Sequence, residues 1–130
     1  MKARMGGRLV LGAALAIAVA LTGLALAGCS KKAEQYGEKL SLTEVTPVSD
    51  ILSNPASFEG RTVRIEGQIT RECPAGHWFD LKNGPATIYV DIGRQGFVIP
   101  QHVGKRIAVE GTVSVADRQT EFLGKGVEIL

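Results

Sequence analysis

Few residues in this chain could do chemistry, and they fall in two places. The first is Cys73-Pro74-Ala75-Gly76-His77, a thiol and an imidazole joined by a stretch whose proline and glycine favour a turn. Thiolate and imidazole are natural ligands of soft or borderline metals such as Cu(I) and Zn(II), and such a turn can aim both at one ion. Two ligands do not fill a tetrahedral site. A third would have to come from His102, the other histidine of the chain. A thiol with Arg71 nearby could instead hold a lowered pKa and serve redox chemistry, although a C-x-x-C pair would be the commoner form. The plain alternative makes Cys73 a small apolar turn residue and His77 a polar strand cap. The second place is the set Trp78, Asp80, Tyr89 and Asp91. These alternate with Phe79, Ile88 and Val90, so they share the opposite, outward side of two extended runs. An exposed aromatic pair beside two carboxylates suits a small cationic or sugar-like ligand, or a protein partner, and would repel a phosphate backbone. The alternative here is that Trp78 only closes one end of the fold. No Gly-rich phosphate loop, nucleophile elbow or catalytically spaced carboxylate pair is present, so no enzyme activity is expected.

The elements that must position these residues are preceded by an unusual start. Residues 1–8 are basic, and Leu9 to Leu26 form an apolar run without a charge, the layout of an export signal. The run ends in Leu26-Ala27-Gly28-Cys29, which resembles a bacterial lipobox. The resemblance implies cleavage before Cys29, a diacylglycerol on its thiol and an acyl chain such as palmitate on its amine. An uncleaved membrane anchor is the other reading. Ser30, where an inner-membrane signal would often show Asp, implies by the same resemblance the outer membrane, with the protein facing the periplasm. Lipidation leaves Cys73 as the one free thiol. The expected organisation is a signal peptide over 1–28, a lipidated polar tether over 29–44 and a folded domain over 45–130.

Composition limits what that domain can bind. The formal charge of +2 over 130 residues comes from the leader; from Cys29 onward 12 Lys and Arg stand against 13 Asp and Glu, a net of −1. A nucleic-acid partner is therefore not expected.

Within the domain, Thr46-Pro47 reads as the N-cap and first residue of a short helix with Val48, Ile51 and Leu52 on one face, ended by Asn54-Pro55. A strand follows, with Val63, Ile65, Gly67 and Ile69 inward. Two more flank Asn83-Gly84 as a hairpin whose turn Pro85 should lengthen. A fourth alternates through Ile107, Val109, Gly111 and Val113, and a fifth runs from Phe122 to Ile129. Gly60–Ile69 and Gly104–Val113 echo each other at an offset of 44, each with a mid-strand glycine where a barrel strand could bend. Val63, Ile65, Ile69, Phe79, Leu81, Ile88, Val90, Ile107, Val109 and Val113 are the expected core. The pattern through Gly67-Gln68-Ile69, Trp78–Lys82, Ala86–Ile92, Val109–Val113 and Val127-Glu128-Ile129 resembles small exported bacterial OB-fold proteins. These include a periplasmic stress-associated type and the anticodon-binding-like OB domains of lipoproteins. The resemblance implies an all-β, five-stranded Greek-key barrel with a short N-terminal helix. It also implies a non-catalytic binding role, with metal handling by Cys73 and His77 as the alternative.

Overall fold

The computed structural model describes residues 33–130; the leader, the lipobox and Cys29 lie outside the described residues. The alternation after Gly60 builds β2 (Thr62–Glu72), which buries Val63, Ile65, Gly67 and Ile69. β3 (Trp78–Asn83) and β4 (Ala86–Asp91) form the expected hairpin. Its loop holds only Gly84 and Pro85, so Pro85 does not lengthen the turn. Gly84 takes a φ of +59°, and the fixed negative φ of proline suits the second position, the sign pattern of a type II′ turn. β5 (Arg106–Ala116) meets β6 (Gln119–Ile129) in a second tight hairpin, so the last strand begins three residues before Phe122. β2 lies antiparallel to β3 on one edge and to β5 on the other. β4 runs parallel to β6, and β6 returns to β5, closing a five-stranded barrel.

The echoed glycines mark where the barrel wall approaches itself. A Cβ on Gly67 would collide with the Lys82 carbonyl, and one on Gly111 with the Leu123 carbonyl. The ladder shifts register beside Gly111 and again in β2 between Ile69 and Arg71. These irregularities let two long strands coil around the core. All ten expected core residues are buried, joined by Val48, Ile51, Ile92, Ile99, Phe122 and Val127.

The N-terminal elements differ from expectation. α1 (Val48–Ser53) is capped by Pro47 rather than Thr46 and buries Val48 and Ile51, while Leu52 remains 37% exposed. Pro55 opens a further helical turn, α2 (Pro55–Phe58), as well as ending the first.

The polar stretch expected as a tether is, from Gln35 onward, part of the barrel. β4 pairs with β6 only at Glu121–Leu123, and β1 (Gln35–Gly37) takes the next part of that edge, Gly126–Glu128. It satisfies backbone groups that would otherwise be open. The following chain is held too. The N–H groups of Ser41 and Leu42 each donate to the Glu110 carboxylate at 2.8 Å, and Arg64 Nη1 donates to the Leu42 carbonyl at 3.1 Å. No helix among the described residues is long and apolar enough to cross a membrane.

Candidate functional site

The β3–β4 register sets Trp78 opposite Asp91 and Asp80 opposite Tyr89, so all four expected residues share one outward face. The aromatic rings sit on the diagonal, 5.5 Å apart and tilted by 31°. Parallel pairing of β4 with β6 adds a fifth residue, Glu121, beside Tyr89. Two arginines complete the face. Arg71, at the end of β2, donates from Nε to Asp80 at 2.8 Å and lies 5.2 Å over the Trp78 ring. Arg94, in the 3-10 turn Gly93–Gln95 after β4, bridges Asp91 at 3.2 Å and Glu121 at 2.8 Å. The three carboxylate side chains are only 15–18% exposed, whereas those of Arg71 and Arg94 are 69% and 57% exposed. Burial, then the charges of Asp91 and Glu121, push the Tyr89 phenol above its ordinary pKa, so it stays a neutral donor at physiological pH. The hydrogen bond and charge of Glu121 raise Arg94 further. Between this face and the tip of the β5–β6 hairpin lies a cleft of 490 Å³, lined by Arg71, Asp80, Tyr89, Arg94, Asp117 and Glu121 among others.

The Cys73–His77 turn is built on the neighbouring rim. The Cys73 N–H donates to the Trp78 carbonyl at 2.9 Å and the Gly76 N–H to the Cys73 carbonyl at 2.8 Å. Gly76 has a φ of +78°, and a Cβ there would strike the Ile99 carbonyl. The backbone N–H of His77, then those of Ala75, Gly76 and Trp78, favour the thiolate. They hold the Cys73 pKa below its ordinary value against a smaller upward push from burial. His77 is exposed, its Cβ facing the Gly93 backbone. His102 is engaged elsewhere, with Nε2 3.4 Å from Glu34 and its ring 5.9 Å from Tyr36. Glu72 holds the His102 backbone N–H at 2.7 Å. Among the described residues, no three His, Cys, Asp or Glu side chains converge as a metal site would require, so Cys73, His77 and His102 are not gathered around one point.

The chain is similar in structure to the hypothetical protein ygiW from E. coli, with a TM-score of 0.50 and 22% identity over 68% of this chain and 91% of that one. It is also similar to a putative aspartyl-tRNA synthetase from Leishmania major Friedlin, with a TM-score of 0.54 and 17% identity. That match spans 70% of this chain and 21% of the synthetase. The fold is an OB barrel. At these identities the likeness concerns the fold alone. No protein-family model matches the sequence, and no curated protein matches it.

In an OB barrel the sheet face formed here by β3 and β4, together with the loops beside it, is where ligands are commonly held. The cleft occupies that place. Sequence reasoning found the aromatic and aspartate members of the outward face, of which Asp80 and Tyr89 line the cleft, and missed the rest. Arg94 had a visible signal, since Asp91 and Arg94 stand three apart across a glycine. Glu121 had none, because it reaches Tyr89 only through a parallel pairing between positions 32 apart in the sequence. Arg71 was noted for its nearness to Cys73, whereas the β2 irregularity turns it toward Asp80.

Proposed function

We propose that this protein is a lipid-anchored OB-fold lipoprotein of the outer membrane, facing the periplasm, that binds a small sugar-like ligand on the Trp78–Tyr89 face without catalysing a reaction. The observation that carries the reading is the aromatic pair ringed by three carboxylates, each already paired with an arginine, with Tyr89 of that pair in the wall of an open cleft and Trp78 beside it. Apolar ring faces stack on the C–H surface of a sugar, while fixed carboxylates and guanidinium groups accept from and donate to its hydroxyls. A cation would find its carboxylates already engaged. A nucleic acid would meet three acids against two arginines. The guanidinium groups of Arg71 and Arg94, far more exposed than their carboxylate partners, can each offer a further N–H to a ligand hydroxyl without giving up the ion pair.

Trp78 is the only tryptophan of the chain and so reports directly on the site. Titration with maltotriose, chitotriose and related saccharides should change its fluorescence saturably for at least one of them. The change should vanish in Tyr89→Ala. A response to spermidine or to oligothymidylate with none to any saccharide would overturn the sugar reading, as would binding only to an envelope protein. The second reading, metal handling at Cys73 and His77, is favoured by the lowered thiol pKa. It requires near-stoichiometric Zn(II) or Cu(I) binding that is lost in both Cys73→Ser and His77→Ala.

A further inference from the structure

Because β1 belongs to the barrel, the folded chain begins close to Cys29 in the sequence. Among the described residues, the first firmly bonded one is Glu34, whose carbonyl accepts the Ile129 N–H at 2.8 Å. Five residue steps separate it from Cys29, a reach of at most about 18 Å. The barrel end at which Glu34 arrives is distinctive. Val103 and Leu130, 56% and 52% exposed, are the two most exposed large apolar side chains among the described residues. Both lie on this rim. The Leu130 N–H donates to the Arg106 carbonyl at 2.9 Å, and Lys105 closes a turn around Val103 onto the His102 carbonyl at 2.9 Å. His102 in turn packs against Tyr36 and Glu34. Lys105 is exposed, and Arg106, with a side chain 62% exposed, is held only loosely by Glu66 at 3.4 Å. Lys31 and Lys32 follow the anchor cysteine in the sequence. Of the nearby acids, Glu34 is 52% exposed beside Tyr36 and His102, Glu66 is shared by Arg64 and Arg106, and Glu128 is half-buried.

We propose that this rim rests on an anionic lipid surface, with Val103 and Leu130 entering the interface and Lys105 and Arg106 against the headgroups. The inference rests on the lipid anchor of the proposed function. Without Cys29 in a bilayer nothing would hold the rim there. Basic side chains beside exposed apolar ones are what an interfacial contact needs. The attraction acts within about 8 Å at physiological salt, so a short attachment matters.

The test uses the full lipidated chain carrying Cys73→Ser, in which the acylated Cys29 cannot react with a maleimide. A fluorescent maleimide is placed at Val103→Cys or, as a reference, at Arg118→Cys in the turn at the far end of the β5–β6 ribbon. In vesicles of phosphatidylethanolamine and phosphatidylglycerol doped with a headgroup-nitroxide lipid, quenching at 103 should exceed that at 118 at least threefold. The excess should fall in pure phosphatidylcholine and in Lys105→Glu/Arg106→Glu. Equal quenching at both positions, while labelled palmitate still enters Cys29, would overturn the membrane-facing rim alone. So would a difference that depends on protein density rather than on anionic lipid, which would mark a second copy as the occupant. Failure of palmitate to enter the wild-type chain would instead remove the anchor, and the rim contact with it.

Discussion

Cys73 owes its chemistry to backbone rather than to neighbouring side chains. The groups that lower its pKa are N–H dipoles of the turn, led by that of His77, and the imidazole of His77 is not among them. Iodoacetamide alkylation measured against pH should therefore have its midpoint below that of an unperturbed thiol, about 8.5. His77→Ala should leave the midpoint in place, because the N–H remains. Gly76→Ala should raise it, because a side chain at φ +78° cannot fit against the Ile99 carbonyl and the turn must open. A midpoint that moves with His77→Ala and not with Gly76→Ala would assign the effect to the ring and strengthen the metal reading. The sequence showed the pair Cys73 and His77. What it could not show is which atoms of His77 face the sulfur.

At the scale of elements, two connections hold the barrel in ways that a hydrophobic pattern does not record. The segment after β1 is latched by Glu110. Burial pushes this carboxyl up, but the N–H groups of Leu42 and Ser41, the Ser41 hydroxyl and Arg64 outweigh it and leave the pKa depressed. A depressed folded-state pKa contributes stability that is fully present above the unfolded value, about 4.3, and is lost as pH falls through the folded value. The protection of the Ser41 and Leu42 N–H groups against exchange, relative to an unfolded chain at the same pH, should accordingly fall as the pH drops below about 4. In Glu110→Gln that protection should be small already at neutral pH, with a global loss of about 1 kcal/mol. Unchanged protection in that variant would mean that β1 alone keeps the segment in place. The second connection is the β5–β6 turn, where Asp117 and Arg118 take φ of 51° and 64°. Left-handed backbone costs a non-glycine residue about 1–2 kcal/mol. Arg118→Gly should raise the thermal midpoint, by less than that relief because glycine also gains freedom in the unfolded chain. A lower midpoint would show that the Arg118 side chain contributes more than its backbone costs. Asn83-Gly84 announced its hairpin through its glycine. Asp117-Arg118 has none, which is why this turn and the first residues of β6 were not legible.

For the molecule as a whole, the barrel was legible because burial alternates through most of β2 to β5 and glycines stand where the strands must coil. The site was half legible, since one antiparallel hairpin gathers Trp78, Asp80, Tyr89 and Asp91, while Glu121 and the arginines depend on non-local pairing. β1 was illegible because it is held by backbone pairing with β6, with little apolar burial to leave a period. Its position also gives the molecule a direction. β1 joins β6 near the end of that strand, whereas the cleft is lined by Gln119, Thr120 and Glu121 at its beginning. A barrel resting on its Val103 rim thus presents the cleft away from the membrane. The same topology makes the N-terminal segment structurally expensive to remove. Without residues 33–44, the β6 edge at Gly126–Glu128 loses its ladder and Glu110 is left without its donors. Several backbone bonds at about 1 kcal/mol each then approach the cost of a core cavity such as Phe79→Ala, about 3–5 kcal/mol. In a domain whose total stability is about 5–15 kcal/mol, either loss is severe. The two should differ in kind, however. Phe79→Ala should lower the unfolding midpoint of residues 33–130 and leave it a monomer. A fragment of residues 45–130 should lose stability and also associate, because an open edge pairs with another open edge. Sedimentation of the two fragments across a range of concentrations separates the effects. A 45–130 fragment as stable and as monomeric as 33–130 would show that β1 only lies along the barrel, and that closure of the five strands suffices.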